Sequence, residues 1–175
     1  MNNLKQINVG VDKPIKVIQT FLYNSLGYSN INAYGRVYKQ EKGGKTYPVF
    51  YTSDKDYDEV LFDDSINVNY FFNIGNTEKF DINGDVSSDC EIIFTFDLST
   101  LKGDDSRLDE EVKQEVIGYL QRFKAKFNIK EIVTGLEDVY SDFSGVSDRF
   151  KDIQPYFHFK IKGEILYNIN LKCTQ

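Results

Sequence analysis

The chain has 175 residues and a formal net charge of −6, with 41% hydrophobic and 27% charged residues. This balance excludes an intrinsically disordered chain and predicts one globular domain over residues 1–175. The acidic charge argues against a nucleic-acid-binding surface, and no apolar run is long enough to cross a membrane. Because Cys90 and Cys173 lie far apart and residues 1–14 lack an apolar core, we expect reduced thiols and synthesis in a cytoplasm.

The first predicted element is an amphipathic helix. It begins at Asp12, which is expected to cap it, has Pro14 in its first turn and ends at Gly27. Its apolar residues recur at helical spacing: Ile15, Ile18, Leu22 and Leu26, with Val17 and Phe21 widening the stripe. Such a stripe needs an apolar surface to cover it, and a sheet is the simplest candidate.

A β-hairpin is predicted next. Two runs rich in aromatic and β-branched residues, 33–40 and 45–52, are separated by the letters EKGG, and Gly-Gly between such runs is typical of a tight turn. Pro48 lacks an amide donor, so the second run is predicted to be an edge strand or to be paired on one side only at that point. We expect this hairpin to protrude from the body of the domain.

Two runs of alternating residues follow, over residues 65–75 and 90–99. The first places on one face Ile66, Val68, Tyr70, Phe72 and Ile74, and on the other Asn67, Asn69 and Asn73, with Phe71 interrupting the polar side. The second places on one face Ile92, Phe94, Phe96 and Leu98, and on the other Ile93, Thr95 and Asp97. Alternation of this kind predicts two strands with one buried face.

A long helix is predicted over residues 106–127, with Ser106 and Asp109 in the positions of a capping box. Its inner stripe is Leu108, Val112, Val116, Leu120, Phe123 and Phe127, and its solvated face is Glu110, Glu111, Lys113, Gln114 and Glu115. A short strand at 130–135, an irregular polar stretch and a closing strand complete the chain. This order predicts an α+β fold: a mixed, mostly antiparallel sheet with two main helices packed on one face.

The letters GGKT at Gly43–Thr46 resemble the end of a phosphate-binding P-loop. A P-loop also requires a glycine five positions before Gly44, where this chain has Lys39, and a helix that opens at its lysine. Here Lys45 precedes a strand-like run. The stretch is therefore predicted to be a hairpin turn, with no nucleotide bound.

An oxygen-rich segment includes Asp81, Asn83, Asp85 and Asp89 and raises the possibility of a calcium loop. Its register departs from that of an EF-hand, because Gly84 is fourth rather than sixth and Ile92 occupies the twelfth position. A turn rich in Asn, Gly and Asp has the same composition. Both interpretations are open at the level of sequence.

His158 is the only histidine, so any histidine-based catalysis or metal site must use it. Its place between Tyr156 and Lys160 predicts an exposed position on the polar face of a strand. No serine or cysteine lies in a nucleophile-elbow context. We therefore predict no enzyme activity, no cofactor and no metal, and a carboxylate-based, metal-dependent hydrolase is an alternative motivated only by the acidic loops.

The hairpin is basic and aromatic on an otherwise acidic chain, which favours protein contacts. The candidate subunit interface consists of Tyr34, Arg36, Tyr38, Lys39, Lys42, Lys45, Tyr47 and Tyr51. The alternative is a solvated hairpin without a partner.

The order of these features resembles that of phage tail-completion proteins, the tail-terminator or neck-ring subunits of the head–tail connector. The stretches that carry the resemblance are PIKVIQTFLYNSLG, YGRVYK, FDLSTLKGDDSRLDEEV and DIQPYFHFKIKGEILY. The acidic, Asn- and Tyr-rich composition is similar to that of virion proteins of Bacteroidetes phages, including the crAss-like group.

The resemblance implies a non-enzymatic virion subunit, made in the host bacterial cytoplasm, that forms a homo-oligomeric ring between portal and tail. Its partners would be the portal, neighbouring connector rings and tail proteins, without catalytic residues or a cofactor. DNA would pass through an acidic lumen without sequence-specific binding. The alternative function is a small monomeric protein-binding module that uses the aromatic hairpin.

Overall fold

The computed structural model describes residues 1–5, 8–52, 56–60, 65–82, 84–100, 109–147 and 155–168. Its strands are β1 (Asn2–Asn3), β2 (Ile31–Lys42), β3 (Lys45–Tyr51), β4 (Tyr57–Glu59), β5 (Val68–Phe80), β6 (Asp85–Asp97), β7 (Phe127–Thr134) and β8 (Tyr156–Asn168). Its helices are α1 (Asp12–Ser25), α2 (Asp109–Leu120), α3 (Leu136–Val139) and α4 (Ser144–Ser147). The predicted α+β class is confirmed.

The described strands form one sheet with the order β4-β3-β2-β5-β6-β8-β7, and β1 pairs with β2 beside this path. The β1–β2 and β2–β5 pairs are parallel, and the other pairs are antiparallel. The predicted mixed, mostly antiparallel sheet is therefore confirmed. Pro48 does not lie on an edge strand, because β4 flanks β3. It is also bonded on both sides, since it pairs with Lys39 of β2 and its carbonyl accepts a 2.9 Å hydrogen bond from the Val60 amide, just past β4.

The main core lies between one face of the sheet and the two longer helices. From α1 it receives Ile15, Ile18 and Leu22, from α2 Val112, Val116 and Leu120, and from the sheet Tyr70, Phe72, Ile92, Phe94, Phe96, Phe159 and Ile161. The rings of Phe94 and Phe159 stack with centroids 4.9 Å apart. Both main helices pack on one face, as predicted.

Helix α1 ends as predicted but begins differently. Gly27, with φ of +64°, follows its last residues. Asp12 does not cap the helix; its buried carboxylate accepts a 2.5 Å hydrogen bond from Lys5 Nζ instead. Val17 was predicted to widen the apolar stripe but is 43% exposed.

Helix α2 is shorter than predicted. It ends at Leu120, a 3₁₀ turn follows over Gln121–Phe123, and Phe127 already opens β7. Phe127 is buried, as predicted for the inner stripe, but it belongs to a strand and not to a helix. Ser106 and Leu108, and with them the predicted capping box, lie outside the described residues.

The second face of the sheet is also covered, contrary to prediction. Helices α3 and α4 pack on it and build a smaller core from Tyr34, Val37, Val60, Phe71, Ile93, Leu136, Val139, Tyr140, Phe143 and Val146. The polar residues Asn69, Asn73, Thr95 and Lys160 are consequently buried. The predicted exposure of His158 is wrong for the same reason, since it is only 1% exposed.

Candidate interaction surface

Two hairpin arms leave the same end of the sheet, because β2 and β5 are parallel. We call residues 38–49 the first arm and residues 74–90 the second arm. The last paired residues of β2 and β5 are Val37 and Asn73. Beyond that pair, within the described chain, β2 is bonded only to β3 and β5 only to β6.

The gap between the arms, here called the fork, therefore presents two strand edges to each other. Its volume is about 500 Å³ and its lining includes Arg36, Tyr38, Lys39, Asn73, Gly75 and Glu78. The guanidinium of Arg36 lies 4.9 Å from the centre of the Tyr38 ring, and Glu78 accepts a hydrogen bond from the Tyr167 hydroxyl. Free backbone donors and acceptors of this kind can pair with an extended segment of another chain.

The base of the fork is fixed by one carboxylate. Asp142 Oδ2, between α3 and α4, accepts hydrogen bonds from Lys39 Nζ at 2.8 Å and Asn73 Nδ2 at 3.0 Å. It thus joins a residue of β2 to a residue of β5 at the point where these strands separate. The hydrogen bond from Lys39 holds the pKa of Asp142 below its ordinary value, with a smaller contribution from Asn73, against the opposing effect of burial.

The second arm is braced by a row of charges across four strands. Glu164 Oε1 on β8 accepts hydrogen bonds from Lys130 on β7 at 2.9 Å and Lys79 on β5 at 3.1 Å. Asp89 on β6 lies 3.6 Å from the same Lys79 ammonium. These pairs hold the pKa of Glu164 below its ordinary value, first through Lys130.

Of the eight predicted interface residues, two are tyrosines whose rings pack against other residues of the same chain. Tyr34 is 3% exposed and packs against Phe50, with ring centroids 4.7 Å apart, so its ring is buried within the chain itself. Tyr47 is half-buried, and its ring lies against Gly145 of α4. Both face the smaller core because α3 and α4 cover this side of the sheet.

The other six predicted residues are at least partly accessible. Arg36, Tyr38 and Lys39 lie at the fork, while Lys42 and Lys45 are exposed at the tip of the first arm. Tyr51 is half-buried and contacts Tyr57 edge to face, with centroids 5.5 Å apart. Their role in a subunit interface stays a prediction.

The two sequence motifs that suggested ligands form turns. Gly43 and Gly44, with φ of +60° and +74°, connect the paired residues Lys42 and Lys45, as the predicted hairpin turn requires. Strand geometry after Lys45 leaves no helix N-terminus for a phosphate.

The aspartate-rich segment is a turn followed by a strand. The Asp85 amide donates to Asp81 Oδ1 at 2.8 Å, which closes the turn, and Asp85 and Asp89 belong to β6 rather than to a loop. Asn83 lies outside the described residues. The described residues contain no group of three or more His, Cys, Asp or Glu side chains placed to hold a metal ion.

Three polar side chains buried beneath α3 form a small hydrogen-bonded cluster. Thr95 Oγ1 is hydrogen-bonded to the Tyr140 hydroxyl and lies 3.2 Å from His158 Nδ1. Burial raises the pKa of Tyr140, so its hydroxyl stays protonated. These contacts satisfy polar atoms that the packing of α3 has removed from water.

A serine and a lysine also meet on this face. Lys160 Nζ lies 3.2 Å from Ser141 Oγ, but it also forms an ion pair with Glu91 at 3.0 Å. An ammonium held in an ion pair has no lone pair with which to accept the serine proton. The contact with Glu91 thus competes with Ser141 for the Lys160 ammonium.

The two cysteines offer no reactive thiol in the described chain. Cys90 is buried in the main core, and burial raises the pKa of its thiol. Cys173 lies outside the described residues.

Sequence reasoning missed Asp142 and the apolar tip of the second arm. Phe80 is 66% exposed and Ile82 is fully exposed, on either side of Asp81. Two large apolar residues beside an Asn-Gly turn were the available signal, since turns are ordinarily polar. The partners of Asp142 are 69 and 103 residues away along the chain and have no local signature.

Comparison with protein-family models, with curated proteins and with solved structures finds no match for this chain. None of the described helices has the length and apolar character needed to cross a membrane.

Proposed function

We propose that the protein is a non-enzymatic structural subunit that assembles into a ring in a phage head–tail connector. The observation that supports this function best is the pair of arms, which leave one end of the sheet and hold two unpaired strand edges apart. Rings of identical subunits form through heterologous contacts, in which different surfaces of neighbouring copies meet. Open strand edges and projecting hairpins provide such surfaces.

The charge distribution is consistent with this proposal. The first arm carries exposed Lys42 and Lys45 on a chain with a net charge of −6, so a neighbour's acidic surface attracts it. The same net charge repels DNA and disfavours its adhesion to the inner wall of a ring. The resemblance in element order supplies the biological setting, and the arms supply the means of assembly.

The mass of the purified protein, measured by light scattering over a concentration series with and without phage lysate, tests the proposal. We expect a discrete high-order ring or incorporation into virions. Lys42→Gln with Lys45→Gln removes two charges from the first arm and should weaken assembly. The control, Gln114→Glu with Gln121→Glu, makes the same change in net charge at exposed positions of α2 and its 3₁₀ extension.

The alternative function is a monomeric protein-binding module, and the fork is the observation that favours it. A lone extended peptide can pair with a strand edge without any self-assembly. A strict monomer at every concentration that ignores virions would contradict the ring and support this module.

A further inference from the structure

The tip of the second arm presents apolar side chains to solvent in a fixed geometry. Phe80 is 66% exposed and Ile82 fully exposed. The turn between them and β6 is held by the bond from the Asp85 amide to Asp81 Oδ1 at 2.8 Å and by that from the Gly84 amide to Asp81 O at 3.2 Å. Exposed apolar groups on an ordered projection are characteristic of contact sites.

A groove on the main body has the complementary character. It lies between the start of α1, the end of β8 and the residues just before β7, with a volume of about 410 Å³. Pro14, Val17 and Leu166 supply apolar surface, and Val17 is 43% exposed although it lies on an amphipathic helix. Two lysines and one aspartate also line it, Lys13, Lys126 and Asp85, so its charged lining is basic on balance.

We propose that the tip of the second arm docks in this groove on a second copy of the chain. Phe80 and Ile82 would cover Val17 and Leu166, while Asp81 and Asp85 of the tip approach the two lysines. Both the apolar and the charged character of the two surfaces match, which is the reason for choosing a second copy as the occupant.

This inference rests on the proposed assembly and specifies its contact. The tip and the groove are different surfaces, so their pairing is heterologous and leads to a ring or an open chain. Asp85 borders both the turn and the groove, which places them side by side on one molecule. Two copies can therefore also exchange tips reciprocally, and the stoichiometry decides between these arrangements.

The first test places a charge in the contact. Ile82→Asp on the tip and Val17→Asp in the groove should each weaken self-association at least about tenfold, because a buried carboxylate replaces an apolar anchor. Ile132→Asp is the matched control, since Ile132 is 38% exposed and pairs with Ile161, several residues along β7 and β8 from the groove. Sedimentation over a concentration series measures the association, and circular dichroism verifies the fold.

The second test joins the surfaces covalently. A chain with Ile82→Cys is mixed with a chain with Val17→Cys, both carrying Cys173→Ser, and diamide oxidises the two thiols to one disulfide. We expect the mixed, cross-linked pair, whereas Ile132→Cys mixed with Val17→Cys should give none. Cys90 is buried and stays in place.

The outcomes separate this contact from the proposed function. Rings that survive Ile82→Asp and Val17→Asp and do not cross-link would overturn the contact and leave the ring standing. A closed assembly of two copies, lost in both variants, would establish the contact and contradict the ring. A monomer at every concentration would refute both.

Discussion

Lys160 is a charged residue that the packing of α3 and α4 has removed from water. Its side chain is 3% exposed, and its ammonium lies 3.0 Å from Glu91 Oε1. Taking an ammonium out of water is unfavourable unless a partner and further hydrogen bonds compensate for the lost solvation. Glu91 supplies that partner, and Ser141 lies at 3.2 Å. The pair is therefore required once the second face is closed.

Replacing Glu91 with Ala should lower the free energy of unfolding by about 3 kcal/mol, because the ammonium is left buried without its partner. Urea denaturation at neutral pH measures the change. Lys160→Met should lower the free energy of unfolding by less, since Glu91 is 22% exposed and water can solvate its carboxylate. The control is Glu131→Ala, which removes an exposed pair with Lys162 and should cost below about 1 kcal/mol. Equal costs for Glu91→Ala and Glu131→Ala would contradict burial of Lys160.

Asp142 gives a pH dependence of known sign. Its folded pKa is depressed, so its ionised form contributes stability above the unfolded pKa of about 3.9, and that contribution is lost as the pH falls through the folded pKa. Asp142→Asn should be less stable than the wild type by below about 1 kcal/mol at pH 7, since the carboxylate is 42% exposed. The difference should vanish as the pH falls well below about 4.

Unfolding curves over a pH series measure this difference. Asp138→Asn is the control, because Asp138 is exposed on α3 and has no ion pair in the described part of the chain. A wild-type advantage over Asp142→Asn that persists unchanged at low pH would show that the Lys39–Asp142 bond does not depend on the charge.

Replacing glycine with alanine should have opposite effects on stability at two positions, Gly163 and Gly118. A Cβ on Gly163 in β8 would lie 2.4 Å from the backbone oxygen of Asn128, so β7 must move to accommodate alanine. Gly163→Ala should therefore destabilise the protein by about 2–3 kcal/mol. Gly118 in α2 has open space at its Cβ, and Gly118→Ala should stabilise by about 0.5–1 kcal/mol through helix propensity.

Thermal unfolding of the two glycine variants against the wild type checks both signs. A neutral Gly163→Ala would mean that the register of β7 and β8 adjusts freely at its irregularity between Ile129 and Glu131.

The elements whose patterns are long were predictable, and the short ones were not. The alternation in β5 and β6 and the apolar stripe of α1 are visible from neighbouring residues in the sequence alone. Helices α3 and α4 have four residues each, too few for a periodic signal among the polar residues around them. Without these helices the second face was interpreted as solvated, although Phe71 and Ile93 are apolar residues on that face and both belong to the smaller core.

At the scale of the whole molecule, the fork depends on a non-local parallel pairing. Strands β2 and β5 are neighbours in the sheet, although β3 and β4 lie between them along the chain. A single sequence does not reveal where two such strands separate. The predicted basic, aromatic hairpin supplied half of the fork. The other half, the second arm, was read as an aspartate-rich loop because its strands extend past the strongly alternating residues.

Amide hydrogen exchange should report the unpaired edges directly. Residues 90–97 of β6 are bonded on both sides, to β5 and β8, so their amides should be the most protected in the chain. In β5 beyond Asn73, β6 is the only strand partner in the described chain, and its pairing is interrupted between Ile74 and Glu78, so the amides of residues 74–80 that do not face β6 should exchange much faster. Uniform protection of residues 74–80 in the dilute monomer would contradict an open fork.

If these amides become protected only as the concentration rises, a neighbouring copy covers this edge. Protection gained at residues 80–82 alone would instead indicate the tip contact, because that contact covers the turn and leaves the edge above it in water.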